Sequence, residues 1–178
     1  TQQRDKAAEV WKRLENAFPK DLLVSERIAQ INQTEGNLPE ALRRFQSLAS
    51  ESKDKDRRFE FECNAAALQA QSGKTVDAIA TYERIASQLK PDSWRYKEMR
   101  RRIENIFMAS NDFDGWVRYL QNQLKEHPED IDSEIRLAQA FFYLRKPELA
   151  EQRLLDALLR SPTSIELQTA LIQQYQSR

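Results

Sequence analysis

Glycine, cysteine and histidine are rare in this sequence, and each shortage excludes a class of structure or chemistry. Only three glycines and six prolines occur in 178 residues, so helices joined by short turns are expected rather than strands joined by hairpins. A single cysteine, Cys63, excludes an internal disulfide bond. Because the sequence has no cysteine and histidine cluster, no Asp-rich calcium loop and no glycine-rich phosphate loop, it predicts neither a metal nor a cofactor.

Net charge is also missing, because 28 Lys and Arg residues balance 28 Asp and Glu residues. A neutral chain has no overall field that would attract nucleic acid or an acidic membrane surface, and neither is expected as a partner. The longest apolar runs, such as 138–144, are far shorter than the roughly 20 residues that span a bilayer. We therefore predict a soluble protein, of either the cytoplasm or the periplasm.

Candidate catalytic residues are few. Acid-base or nucleophilic catalysis needs a reactive side chain that a second group holds within hydrogen-bond distance. His127, the one histidine, precedes Pro128 in an expected turn and is predicted to be solvated there. Cys63 has no histidine near it in sequence and is predicted to be a small, half-buried residue. The sequence therefore does not indicate an enzyme.

A regular period is the strongest pattern that the sequence does contain. Pro128 and Pro162 lie one period of about 34 residues apart, and small or apolar residues recur upstream of each. The complete unit at 131–164 carries these marks at Leu137, Ala138, Phe141, Ala150, Leu154, Ala157 and Pro162. A period of this length predicts stacked helix-turn-helix units, each of which buries its apolar face against its neighbours.

This pattern resembles the tetratricopeptide repeat, which has small residues at positions 8 and 20 of each repeat and proline at position 32. Position 4 never holds the tryptophan of that family, so the resemblance depends on the small-residue and proline columns. It implies an all-α fold, a right-handed α-solenoid of about ten helices. The implied units are a half repeat at 1–19, repeats at 22–55, 59–91, 97–130 and 131–164, and a half repeat at 165–178. Half repeats at both ends indicate one domain cut from a longer array.

Two intervals between equivalent turn positions are longer than this period. The interval from Gly36 to Gly73 exceeds it by three residues, and the interval from Gly73 to Asn111 exceeds it by four. Three or four added residues are about one helical turn, so they lengthen a helix without rotating its faces. We therefore predict long first helices at 55–72 and 94–110. The candidate N-caps are Asp21, Asp54 or Asp56, Thr75, Asp92 or Ser93, Asp112, Asp130 and Ser164.

The resemblance implies that a ligand binds the first helices, which line the concave face in that family. Side-chain amides can donate to and accept from the backbone of an extended peptide, and arginine can bind its carboxylates. The hypothetical peptide-binding residues are Arg27, Gln30, Asn64, Arg102, Asn105, Arg136 and Gln139. Pairing within each helix is an alternative explanation of two arginines, since Glu98 precedes Arg102 by four residues and Asp132 so precedes Arg136.

Three further features bear on binding. A clamp for a peptide's terminal carboxylate, known in some members of the family, matches at Asn64 and Arg102 but not at Glu26, Gln30 and Glu98, so it is not expected. The arginines at 100–102 fan around their helix and cannot form one flat basic patch. Phe142 and Tyr143 either anchor a ligand or pack against the next helix.

As the resemblance implies, the function is noncatalytic protein or peptide binding by a scaffold. The alternative is a structural spacer or self-association module whose open ends stack on neighbours within a larger protein. Nothing in the sequence names the partner.

Overall fold

Ten α-helices make up the part of the chain that the computed structural model describes, which is the backbone of residues 2–176 and their side chains except at 2–5, 8 and 12. They are α1 (Gln2–Ala17), α2 (Leu22–Thr34), α3 (Leu38–Glu51), α4 (Lys55–Gln71), α5 (Thr75–Ala86), α6 (Trp94–Ser110), α7 (Phe113–Glu126), α8 (Ile131–Tyr143), α9 (Pro147–Arg160) and α10 (Ile165–Gln176). The predicted all-α repeat fold is confirmed. Residues 1, 177 and 178, at the outer ends of the two predicted half repeats, lie outside the described residues.

The helices form two compact units, one ending at Ile106 and the other beginning at Phe107, so that the division lies within α6. In the first unit α1 packs on α2, α2 on α3, α3 on α4 and α4 on α5. In the second unit α7 packs on α8, α8 on α9 and α9 on α10. Packing between sequence neighbours is the arrangement that stacked helix-turn-helix units require.

Alanines at the helix crossings are buried as the repeat pattern predicts. Ala29 and Ala41 are both fully buried in a cluster that α2, α3 and α4 share, together with Phe45 and Phe61. In the second unit, Ala138 and Ala150 lie in the cluster formed by α8, α9 and α10. A methyl group at each crossing lets two helices approach closely.

The first helices α4 and α6 are each 17 residues long, whereas α2 and α8 have 13 residues. The difference is one turn and confirms the two predicted long helices. Each long helix begins at a predicted cap. The Asp54 carboxylate accepts from the backbone N–H groups of Asp56 and Arg57 at 2.8 and 3.2 Å, and the Ser93 hydroxyl accepts from the backbone N–H of Tyr96 at 3.2 Å.

Four turns between first and second helices share one hydrogen-bond pattern. After α4, the N–H of Gly73 donates to the carbonyl of Ala70 at 3.0 Å, and the N–H of Lys74 donates to that of Gln69 at 2.9 Å. These are the two bonds of a Schellman motif, which needs a residue with positive φ. The corresponding residues are Gly36, Gly73, Asn111 and Arg145, with φ of 81°, 78°, 53° and 56°.

One predicted cap is wrong, and this turn explains why. Thr75 is the first residue of α5 rather than its N-cap, which is Lys74 and makes no side-chain capping bond. In all four turns the second helix begins two residues after the positive-φ residue. The cap position is therefore set by the turn, whether or not the residue there can accept a hydrogen bond. Asp112 occupies that position after Asn111, and its carboxylate accepts from the N–H of Gly115 at 2.9 Å.

A buried carboxylate joins α8 to α9 in the second unit. The side chain of Glu134 is 3% exposed and accepts from Nε and Nη2 of Arg153 at 2.6 and 3.0 Å. Arg160, about two turns further along α9, binds the same carboxylate. Glu134 stands at position 4 of its repeat, where the resembled family has tryptophan, so two guanidinium groups here replace an aromatic contact.

Arg145 is the turn residue at which a substitution tests the positive-φ requirement. Its side chain has a Cβ at φ 56°, a conformation that costs a residue other than glycine about 1 kcal/mol. We expect Arg145→Gly to raise the free energy of unfolding by about 0.5 to 1 kcal/mol in urea denaturation. Arg118→Gly, at an exposed position inside α7, is the control and should lower it by about 1 kcal/mol. If Arg145→Gly lowered the free energy of unfolding as much as Arg118→Gly does, the backbone strain assigned to Arg145 would be contradicted.

Candidate peptide-binding surface

The first helices α2, α4 and α6 lie side by side in the first unit. Arg57 on α4 donates to the Glu26 carboxylate on α2 at 2.5 Å, and Arg95 on α6 donates to the Asp56 carboxylate on α4 at 2.8 Å. Deeper in the unit, Cys63 Sγ lies 3.8 Å from the sulfur of a methionine on α6. These contacts place the faces of three first helices in one continuous surface, which we call the first-helix wall.

Arg27 and Gln30, the predicted binding residues on α2, contact each other. The Arg27 guanidinium donates to Gln30 Oε1 at 2.8 Å, and Gln30 Nε2 donates to Glu26 Oε1 at 3.4 Å. Both side chains reach the surface, but Nη1 of Arg27 and both polar atoms of the Gln30 amide already have partners. A ligand that bound at this end of the wall would first have to displace those contacts.

Arg102, the predicted arginine on α6, is held within its own unit. Its Nε donates to Glu98 Oε1 at 2.9 Å, and its guanidinium lies 5.8 Å from the ring centroid of Tyr82. Burial disfavours the charged form of Glu98, but hydrogen bonds from Arg102 and Arg101 outweigh it and lower the pKa of this carboxyl. The helix-internal pairing that the sequence left open as an alternative is therefore present.

Asn64 on α4 and Asn105 on α6 differ from the arginines. Both side chains are exposed, and among the described residues neither amide has a hydrogen-bond partner. Each amide offers two donor hydrogens and a carbonyl acceptor to a ligand. These two amides of the wall are therefore available to a ligand.

The second unit has its own predicted residues on α8. Arg136 Nε donates to the Asp132 carboxylate at 2.7 Å, again a pair four residues apart in one helix. Gln139 is exposed one turn further along, beside Phe142, which is 43% exposed. An exposed amide and an apolar side chain thus lie next to each other on this face of α8.

Tyr143 packs on the preceding helix rather than on the next one, and its side chain stays 49% exposed. Its ring stacks on Phe113 with a centroid distance of 5.2 Å and an interplanar angle of 7°, and it lies 6.3 Å from Trp116. Both partners are on α7, the preceding helix. Trp116 is buried at the position where other repeats have alanine, and its bulk gives Tyr143 a surface on which to pack.

The arginines at 100–102 and His127 are placed as expected. Arg100 is buried, Arg101 is exposed and Arg102 faces Tyr82, so the three arginines point in different directions. His127 is exposed in the turn after α7, with Nδ1 3.7 Å from a Glu129 carboxylate oxygen. In the part of the chain that the structure describes, no group of three or more His, Cys, Asp or Glu side chains is arranged to hold a metal ion.

The residues that would have to be basic in a carboxylate clamp are acidic and already paired. Glu98 binds both Arg101 and Arg102, and Glu26 binds Arg57. A terminal carboxylate placed between them would meet two carboxylates. The electrostatics of the wall therefore disfavour this mode of peptide capture.

A separate depression of about 450 Å³ lies between α3, α4 and α5, on the side of the second helices. Its polar lining includes Gln46, Arg58, Glu62, Gln69, Thr81 and Arg84. Several of these groups bond to each other, with Arg84 3.3 Å from Glu62 and the Thr81 hydroxyl donating to Gln69 at 3.0 Å. The sequence gives no sign of this depression, because its lining comes from three helices and follows no column of the repeat.

Comparison with known proteins supports the fold. No family model matches the sequence. Over 141 residues the chain is 24% identical to the transcription factor tau 131 kDa subunit of Saccharomyces cerevisiae, covering 79% of this chain and 13% of that subunit. A tetratricopeptide repeat protein of Parabacteroides merdae superposes with a TM-score of 0.51 and 17% identity, over 97% of this chain and 66% of that one. A chain from Naa15/Naa10 bound to HypK-THB gives a TM-score of 0.49 and 20% identity, over 91% of this chain and 23% of that one.

The fold is therefore tetratricopeptide repeat-like, as the sequence predicts. The chain spans only about an eighth of the yeast subunit that it resembles. None of the described helices is both long enough and apolar enough to cross a bilayer.

Cys63 provides a chemical probe of the wall's interior. Its side chain is 4% exposed, and burial raises the pKa of its thiol to about 11. Because the thiolate is the reactive species, alkylation by iodoacetamide near pH 8 should be about 100-fold slower in the folded protein than in urea. Ser72→Cys in a Cys63→Ala background supplies an exposed control that should react at similar rates in both states. If Cys63 reacted equally fast in buffer and in urea, the thiol would be accessible in the folded protein and the interior of the wall would not be closed.

Proposed function

We propose that the chain is a noncatalytic scaffold whose first helices bind an extended peptide segment of a partner protein. The observation that carries this proposal is the pair of exposed amides, Asn64 and Asn105, which lack partners among the described residues on neighbouring helices of one wall. An extended backbone presents alternating N–H and C=O groups, and a side-chain amide can satisfy both kinds. The wall therefore fits recognition of the peptide main chain.

Charge has a smaller role in this recognition than the arginine column suggests. Arg102 and Arg136 already bind carboxylates four residues before them at 2.9 and 2.7 Å. An acidic peptide that bound them would first have to displace Glu98 or Asp132. A pair four residues apart in one helix is worth only about 0.2 to 0.5 kcal/mol, so exchanging it for a similar pair with the ligand adds little affinity.

The yeast relative supports a role within a larger assembly. That protein is a subunit of a transcription factor, and this chain resembles about an eighth of it. We infer that the chain likewise acts as one recognition module among other components.

Selection of peptides tests the proposal directly. The protein is immobilised and used to select binders from a random peptide library on phage, and the affinities of the selected peptides are measured by fluorescence anisotropy. We expect the double variant Asn64→Ala/Asn105→Ala to weaken them by about tenfold or more, since each lost hydrogen bond contributes about 1 kcal/mol. Asn16→Ala, which removes an exposed asparagine from α1, outside the wall but in the same unit, should leave the affinities unchanged. Unchanged affinities in the double variant, or no selected peptide, would remove the wall as the site.

Self-association is the second candidate function, because α10 exposes large apolar side chains. Ile165 and Ile172 are 74% and 56% exposed, and Tyr175 is 49% exposed. Ile172 stands at the position where Ala29 and Ala138 are buried under a second helix. If association through this face is the function, the weight-average mass in light scattering rises with concentration, and Ile172→Glu abolishes the rise. A constant monomer mass would favour peptide recognition.

A further inference from the structure

The extra turns of α4 and α6 meet each other in the first unit. Arg95, in the extra turn of α6, donates to the Asp56 carboxylate in the extra turn of α4 at 2.8 Å. The same guanidinium lies 4.7 Å from the ring centroid of Phe59 and 5.6 Å from that of Trp94. We call the surface formed by residues 53–59 and 90–97 the ledge. It is absent where first helices have only 13 residues, as in α2.

Trp94 is the residue that makes the ledge unusual. Its side chain is 69% exposed, although tryptophan is among the residues with most to gain from burial. The Arg95 guanidinium lies against the ring in a cation–π contact, which favours this orientation of the indole by about 0.5 to 1 kcal/mol. An exposed aromatic ring that is already positioned loses little entropy on binding, which is the property of an interface anchor.

The charges of the ledge are unevenly paired. Its two aspartates on α4 are engaged, Asp54 as the N-cap and Asp56 with Arg95. The ledge also has four exposed lysines without an ion-pair partner among the described residues: Lys53, Lys55, Lys90 and Lys97. Lys97 follows Trp94 by three residues and so lies on the same side of α6. Asp92 is the one exposed carboxylate of the ledge that stands against these four lysines without a partner among the described residues, so the surface around the indole attracts negative charge on balance.

We propose that the ledge binds an acidic, disordered protein segment that packs an apolar or aromatic side chain on Trp94. Carboxylates of such a segment can approach the lysines one at a time, while the side chain between them covers the exposed ring. This contact is separate from the peptide site on the first-helix wall. Along α6, Trp94 lies about 16 Å from Asn105 at a rise of about 1.5 Å per residue.

A single-stranded nucleic acid would also combine stacking with negative charge, but the ledge suits it less. Its lysines alternate with carboxylates in the run 53–56, and Asp92 lies two residues before the indole. A nucleic acid carries a phosphate on every nucleotide, so its backbone would be brought against these carboxylates. A peptide can leave uncharged residues opposite them.

A random copolymer of glutamate and tyrosine is a suitable probe, compared with polyglutamate and with oligothymidine. Binding is followed by quenching of tryptophan fluorescence and by anisotropy of labelled polymers. We expect the Glu/Tyr copolymer to bind best, and its affinity to fall about tenfold in Trp94→Ala and severalfold in Lys97→Ala. Trp94→Phe, which keeps an aromatic ring, should restore most of the affinity.

Matched controls lie elsewhere in the first unit. Val76→Ala removes an apolar side chain that is 78% exposed on α5, and Lys74→Ala removes an exposed lysine. Both should bind the copolymer like the unaltered protein. Equal binding of polyglutamate and the copolymer, or an unchanged affinity in Trp94→Ala, would overturn the proposal. Preferential binding of oligothymidine would overturn it in favour of a nucleic-acid site.

Discussion

One backbone constraint, a single left-handed residue after each first helix, organises the four complete repeats. The residues at this position have φ between 53° and 81°, and each second helix begins two residues later. With that start fixed, the alanines at the crossing keep the same separation along the sequence, as in Ala29 with Ala41 and Ala138 with Ala150. A shift of one residue would rotate the second helix by about 100° and turn the methyl group away from the crossing. The packing of each pair therefore depends on the geometry of its turn.

Features of this fold that depend on sequence intervals are predictable, whereas those that depend on residue type are less so. The long helices α4 and α6 follow from the two lengthened intervals, and their starts follow from the caps Asp54 and Ser93. Threonine is a favoured N-cap residue, so residue preference alone predicts that α5 begins one residue later than it does. The turn instead puts Lys74 at the N-cap and Thr75 in the first turn of the helix. Residue type does not indicate the left-handed φ of Arg145 either, since nothing about arginine favours that conformation. Counting from the turn would have given both positions.

Ion pairs stand at position 4 of two repeats, where the resembled family has tryptophan. In the last complete repeat Glu134 is enclosed by two arginines of α9, and in the second repeat Glu62 lies 3.3 Å from Arg84 of α5. A carboxylate enclosed in this way joins the two helices through directional hydrogen bonds rather than through apolar area. The sequence showed the missing tryptophan but not its replacement, because both arginines are distant from Glu134 along the chain.

Pairing also decides which polar residues of the candidate sites are available to a partner. The arginines that stand out in the sequence are mostly engaged: Arg102 with Glu98, Arg136 with Asp132 and Arg95 with Asp56. The residues left unpaired are less conspicuous in sequence, the asparagines of the wall and the lysines of the ledge. Their chemistry differs, since an amide suits an uncharged peptide backbone and an ammonium group suits a carboxylate. A partner that used both surfaces would therefore need an extended, weakly charged stretch joined to an acidic one, and the order of these stretches would set its direction along α6.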